Sequence, residues 1–373
     1  MEKTTRRDFI KKSAAIGAGS VLGSTTIAGA ARRPFRRQNP ASVELAEVGI
    51  ITCGYYSHIE DIWGLLINPI KEWMRMSGMV MTMVWDIDRK AAENFAQKYN
   101  VKVVDNYYDM VDKVDGVILS DYYATGWWPQ LSKPYLEAGM PALINRPFAL
   151  SMKEARDMIE RSKKYNAPIL VPSSHETMRE TQVTRFKMSR MGKVLGAMAL
   201  DPCSEYPAHG VHGIYLLHQL LQTPALAASF NSDNWWEFKN GIMNIKFQGK
   251  DGAPDFYTSL LFNSERYTNG WVVVSCENGH IYTPYDHDGD FTPEPYYRYK
   301  NMFLSSMLSF QKIIETGKMF QSYDHILNKT QTFLAGFYSF LEKKGKMVDY
   351  SEIPEDWRAP EKIPERFPKG YFD

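Results

Sequence analysis

Two histidines three residues apart raise the first question of chemistry. In "CSEYPAHGVHGIYLLHQLL", Cys203 to Leu221, His209 and His212 share one face if a helix has begun by His209. Imidazole titrates near neutral pH, so His212 is a candidate general base. The pair also permits a metal ion, provided that Asp201, Glu205, His175, Glu176 or His280 comes within reach. Against both stands the common use of lone histidines as structural or surface residues. Arg146, in "INRPFA", is the second candidate. A guanidinium stays protonated, so Arg146 can orient a sugar or an anionic group but cannot serve as a general base. Its bland alternative is pairing with a structural carboxylate. The third is "VGIITCGYYSHIED", Val48 to Asp61, an apolar strand that meets a glycine and opens into a helix. Set against G-x-G-x-x-G, the run T-C-G-Y-Y-S keeps Gly54 at the position of close approach. Thr52 and Ser57 take the outer two places, and Tyr55 and Tyr56 stand on the phosphate path. Asp86 ends the next strand, where it can hold ribose hydroxyls or cap the helix that follows.

These residues need a frame. From Val43 to Ser174 apolar strands alternate with amphipathic helices: "VELAEVGIIT", "EDIWGLLINPIKEWMRM", "MVMTMVWDID", "RKAAENFAQKY". "VKVVDNYYDMVDKV" and "DGVILS" read as strand, helix and strand, and "QLSKPYLEAGMPALINRPFA" as a helix and a strand. Ser151 and Glu154 form a capping box before "MKEARDMIERSKKY". Repeated βα units of this length predict a Rossmann-like parallel sheet with helices on both faces. After His175 a helix, "ETMRETQVTRFKMSRMGK", leads to strands of alternating polarity. These are "VLGAMALD", "IMNIKFQ", "FYTSLLFN" and "GWVVVSCENGHIYTP", which predict an α+β domain on a mostly antiparallel open sheet. Two helices close the chain.

Three stretches resemble the glucose–fructose oxidoreductase / inositol dehydrogenase / MocA (Gfo/Idh/MocA) family, and the likeness runs from about Val48 to Val348. "INRPFALSMKEARDMIERSKKYNAPILV" is similar to the segment with the family's Glu-Lys-Pro motif, here Asn145-Arg146-Pro147. "HGVHGIYLLHQLL" resembles its catalytic Asp-x-Gly-x-His-x-x-Asp helix, and "SFQKIIETGKMFQSYDHILNKTQTFLAGFYSFLEKKGKMV" its closing helix pair. The resemblance implies that His212 is the catalytic histidine and that Arg146 stands beside nicotinamide and substrate. It places Gly54, Asp86 and Arg146 at an NAD or NADP site, and Arg179, His209 and Tyr215 at the substrate. The two aspartates of the helix motif are replaced by Ala208 and Tyr215. The missing glycines, the arginine and the lost aspartates weigh against ordinary reversible dehydrogenation. The resemblance along nearly the whole mature chain nevertheless puts an oxidoreductase acting on a sugar or sugar derivative first. A non-redox lyase, hydratase or glycosidase, or a cofactor-free carbohydrate-binding protein, stays open beside it.

The 373 residues, 44% hydrophobic and 23% charged with net charge +1, suffice for two domains and give no reason to expect a nucleic-acid partner. No apolar run reaches the length of about 18 residues that marks a permanent membrane span. "TTRRDFIKK", with Arg6 and Arg7, precedes the weakly apolar "SAAIGAGSVLGSTTIAGA", which closes on Ala28-Gly29-Ala30. That layout predicts twin-arginine export to the periplasm or another extracytoplasmic place, against an ordinary basic terminus. The expected organisation is signal 1–30, linker 31–42, Rossmann-like domain 43–174, α+β substrate domain 175–350 and irregular tail 351–373. Cys53, Cys203 and Cys276 match no metal or disulfide pattern and read as buried fillers. "YDHDGD" reads as a polar turn, lacking the rest of a calcium loop. The clusters "GWWPQ", "NWWEF" and "PEPYYRY" are sugar-stacking faces or core. A homo-oligomer is expected through the open sheet.

Overall fold

The computed structural model describes residues 45–54, 57–71, 74–203, 205–263, 270–285 and 295–361. The segments expected as export signal and linker, together with Tyr55, Tyr56 and most of "YDHDGD", lie outside them. The strands β1 (Ala46–Ile51), β2 (Met79–Trp85), β3 (Lys102–Val103), β4 (Gly116–Leu119), β5 (Ala142–Ile144) and β6 (Ile169–Leu170) form one parallel sheet. Its order is β3-β2-β1-β4-β5-β6, the doubly wound order that puts the C-terminal ends of β1 and β4 at the switch point. Val48, Ile50, Val117, Ile118, Leu143 and Ile144 are wholly buried, as continuous apolar strands covered on both faces should be.

The connecting helices follow the sequence signals closely where a cap defines them. Helix α1 is short (Gly64–Ile67, after a π-helical turn Ile59–Trp63), whereas the periodicity predicts a helix running on to Met76. Pro69 explains the early stop, because the residue before a proline is driven out of the helical region. Helix α2 (Arg89–Tyr99) starts where Asp88 accepts the amides of Lys90 and Ala91. The helix expected in "DNYYDMVDKV" is instead a run of turns, with Asp112 at φ 58° interrupting any helical ladder. Helix α3 is Trp128–Glu137. Helix α4 (Met152–Tyr165) is capped by Ser151, which accepts the Glu154 amide, but the Glu154 carboxylate accepts from Leu150 rather than closing the box on Ser151.

Helices α5 (Ser174–Thr177) and α6 (Arg179–Met188) replace the one helix expected there, since Met178 is extended between them. The second sheet then has seven strands. They are β7 (Val194–Pro202), β8 (Ala225–Ser232), β9 (Asn240–Phe247), β10 (Phe256–Asn263), β11 (Gly270–Cys276), β12 (Gly279–Tyr285) and β13 (Val348–Asp349). The order is β12-β11-β7-β10-β9-β8-β13, antiparallel except between β7 and β10. Strand β8, "ALAASFNS", escapes sequence reading because its small residues give little hydrophobic period.

One face of this sheet carries helix α7 (Val211–Leu221) and the C-terminal helix α9 (Tyr323–Glu342). The other face is open: Val273 pairs with Met198 and with Tyr282, and Met198 (44% exposed), Tyr257 (60%) and Tyr282 (60%) stand out from it. Helix α8 (Pro295–Thr316) leaves the second sheet and returns to the first. Its Phe303, Met307, Phe310 and Ile313 join Val48, Ile50, Met79 and Val84 in one apolar cluster, and Gln311 Oε1 accepts the Gly78 amide at 2.8 Å. Cys53, Cys203 and Cys276 are buried and form no disulfide among the described residues. Among the described residues no helix is long and apolar enough to cross a membrane.

Candidate functional site

Arg146 follows β5 and is carried on the same loop as Asn145 and Pro147, with its side chain only 1% exposed. Its Nη2 lies 3.1 Å from His58 Nε2, and its guanidinium sits 5.2 Å from the centre of the Tyr122 ring. Nε and Nη1 have no hydrogen-bond partner among the described residues. Burial pulls the Arg146 pKa down to about 10, although the Glu205 carboxylate and the surrounding phenols pull it up, so the group is charged at neutral pH. His58 is enclosed by the rings of Trp63, Tyr122 and Phe303, at 5.2, 5.1 and 5.6 Å. Desolvation, followed by the nearby Arg146 charge and His209, holds its pKa well below the usual imidazole value.

Tyr122 joins this group to the second domain, because its ring lies 5.6 Å from that of His209. His209 Nδ1 meets Glu205 Oε1 in a short contact, and Glu205 Oε2 accepts the Ala208 amide. Burial pushes the Glu205 carboxyl up, but His209, the amide and Arg146 together hold it below the ordinary range. The His209 and His212 rings are 6.2 Å apart, so the spacing of three does put both on one side. Tyr215 is fully buried one turn further along α7. His212 Nδ1 lies 2.8 Å from Ser173 Oγ, and Ser173 is the N-cap of α5. The capping box of α5 ties this contact to a buried ion pair: Ser173 N–H donates to Glu176 Oε2, and Lys329 Nζ reaches Glu176 Oε1 at 2.9 Å. The site thus draws on β1–α1, β4, β5, α5 and α7, with α9 supplying Lys329 from behind.

Gly54, after β1, and Asp86, after β2, lie together. Asp86 Oδ2 accepts the amides of Cys53 and Gly54 at 2.7 and 2.9 Å, and Oδ1 accepts that of Asp88. Thr52 has φ 63°, a left-handed conformation that is rare for a β-branched residue and natural for the glycine of a dinucleotide turn. Backbone and acidic residue therefore match the ribose end of a dinucleotide. The amides that such a ligand would use are meanwhile satisfied by the chain itself. Arg179 is exposed in the first turn of α6. His280 is on the open face of β12, with Nδ1 3.1 Å from Ser275 Oγ. Among the described residues no group of three or more His, Cys, Asp or Glu side chains could hold a metal ion. Trp236 lies against Tyr123 (5.4 Å between rings), so the "NWWEF" cluster borders the site.

His58, Ser173 and Lys329 escape sequence reading for a common reason. Each is a single polar residue whose partner is far away in the chain, 88, 39 and 153 residues distant for the contacts above. The Ser173–Glu176 spacing was the one local signal available.

The site predicts an acid-sensitive fold. His58 and buried His218 are both held neutral by desolvation, while in the unfolded chain each titrates near 6.5. Below that pH the unfolded state binds more protons, so stability falls on acidification. The unfolded-state value limits the loss from each to at most about 2 kcal/mol by pH 5. Urea denaturation at pH 7, 6 and 5 measures this, and equal free energies across the range would contradict it.

Residues 48–172 match the model of the oxidoreductase family with an NAD-binding Rossmann fold. Solved structures share the fold of most of the chain. Myo-inositol dehydrogenase from Lactobacillus casei, in complex with NAD(H) and myo-inositol, is 16% identical with a TM-score of 0.68, covering 82% of this chain and 96% of its own. A probable dehydrogenase from Thermotoga maritima is 14% identical (TM-score 0.67; coverage 83% and 100%). Scyllo-inositol dehydrogenase from Lactobacillus casei, with bound NAD(H) and scyllo-inositol, is 13% identical (0.67; 82% and 99%). No curated protein matches in sequence.

Proposed function

We propose that the protein is an exported oxidoreductase of the Gfo/Idh/MocA type acting on a sugar or sugar derivative, with the substrate held between the two sheets. The observation that carries this is Arg146: a buried guanidinium with Nε and Nη1 unpartnered, linked through Tyr122 to the His209–His212 face. A substrate oxygen would complete those donors. In the tautomer whose Nδ1–H donates to Ser173 Oγ, His212 would use Nε2 to take a substrate hydroxyl proton. Gly54 and Asp86 would hold the ribose of NAD or NADP, which when bound supplies the hydride acceptor. The family match over 48–172 and the NAD-complexed inositol dehydrogenases of like fold support this reading.

A non-redox carbohydrate enzyme is the second reading. It is favoured by the Asp86 carboxylate, whose oxygens already accept three amides, and by an arginine that cannot relay a proton. The supernatant of the denatured, purified protein separates the two. Stoichiometric NAD(P), or a rise in Tm on adding either nucleotide, is expected. The absence of both nucleotide and Tm shift would sink the redox reading. Export rests on the Arg6-Arg7 segment and is checked by cell fractionation. Self-association rests on the open sheet face with Met198, Tyr257 and Tyr282, and a monomer in sedimentation would remove it.

A further inference from the structure

We infer that the substrate carries a carboxylate, a uronic acid or related sugar acid, which binds Arg146 and gives its guanidinium a hydrogen-bonded counter-charge. This rests on the reading that Arg146 faces the substrate. Three observations carry it.

The first is charge. Arg146 makes no ion pair within 4 Å among the described residues. The nearby carboxylate, Glu205, is committed to His209 and the Ala208 amide, and Glu176 is committed to Lys329. A guanidinium removed from water without a hydrogen-bonded counter-charge is unfavourable, and a ligand that brings the charge removes that penalty.

The second is an excess of donors. Asn145 Nδ2 approaches His58 Nδ1 at 3.2 Å while Arg146 Nη2 approaches Nε2 at 3.1 Å. A neutral imidazole accepts through only one nitrogen, so one of these N–H groups faces another N–H. The other Asn145 donor goes to the Ser120 carbonyl, and its Oδ1 accepts the Arg146 amide, so turning the amide over does not relieve the conflict. With Nε and Nη1 of Arg146 also unpartnered, the surplus is of donors only.

The third is what each ligand offers. A sugar hydroxyl brings one donor with its two acceptor lone pairs, so it offsets the surplus only in part and carries no charge. A carboxylate brings acceptors alone, in the shape that a guanidinium binds best.

Calorimetry on the full-length protein at fixed ionic strength tests this without a mutation. The titrants are D-glucuronate, D-galacturonate, D-mannuronate and L-guluronate, with D-glucuronamide, D-glucose and D-galactose as neutral counterparts. At least one acid should bind about tenfold or more tightly than every neutral sugar, and Arg146→Gln, shown to be folded by its circular dichroism, should lose that preference. A neutral sugar that binds as tightly as the best acid overturns the inference and leaves the carbohydrate reading intact. A preference that survives in the folded Arg146→Gln protein overturns the assignment to Arg146. Binding by none of the panel counts against the carbohydrate reading and the inference together.

Discussion

Lys329→Met lowers the stability of the folded chain by about 3–5 kcal/mol. The ammonium is fully buried and gives all its donors to oxygen: Val171 O at 2.8 Å, both oxygens of Glu176 at 2.9 and 3.1 Å, and Gln321 Oε1 at 3.3 Å. It also lies 4.0 Å from the centre of the Tyr215 ring, so it packs against α7. Burial pushes the Glu176 carboxyl up, yet Lys329 and His325 more than offset it and keep the group ionised. Take Lys329 away and that carboxylate remains in the interior with only Gln321, His325 and the Ser173 amide. The loss is therefore chiefly the cost of an uncompensated charge, not the worth of the pair. Adding Glu176→Gln to Lys329→Met should recover a large part of it, because the double variant leaves no charge stranded. Urea unfolding of the three variants measures the coupling. A Lys329→Met midpoint equal to that of the parent would show that the interior tolerates the lone carboxylate.

The second large effect is catalytic. His212→Ala reduces kcat by about 10²–10⁴, the usual contribution of a positioned acid–base group, while the protein stays folded. Ser173→Ala makes a smaller change, since Ser173 touches only the far nitrogen of the ring. It should alter the pH profile of turnover as well, because the Nδ1 partner sets which nitrogen is free. The measurement is steady-state kinetics with a sugar that the parent protein turns over. Undiminished turnover in His212→Ala would remove the residue from the mechanism.

How far the sequence could foretell this depends on whether a feature is local. The alternation of strand and helix in the first half and the α4 cap at Ser151 follow from period and capping signals a few residues long, whereas α2 is capped by Asp88 and not by Asp86, the candidate in the sequence. The His209–His212 pair was legible for the same reason, as a helical spacing. Arg146 could be placed by resemblance, but its surroundings could not, because Glu205 and His58 reach it from other elements. Likewise Asp86 could be placed at the end of its strand, while its turn toward Cys53 and Gly54 is a tertiary fact. The misread helix at "DNYYDMVDKV" shows the converse: a period compatible with a helix yields to one residue at positive φ.

Helix α8 changes what the domain boundary near residue 174 means. The chain finishes its Rossmann strands there, but the apolar cover over Val48, Ile50 and Met79 is delivered more than a hundred residues later, by Phe303, Met307, Phe310 and Ile313. The two halves are thus sequential in the chain and interlocked in the core. A polypeptide ending at 174 would leave that side of its sheet wet, so the nucleotide-type half is not a transferable module. Unfolding should run through both sheets as one cooperative event, and any motion of one half against the other is tethered by α8.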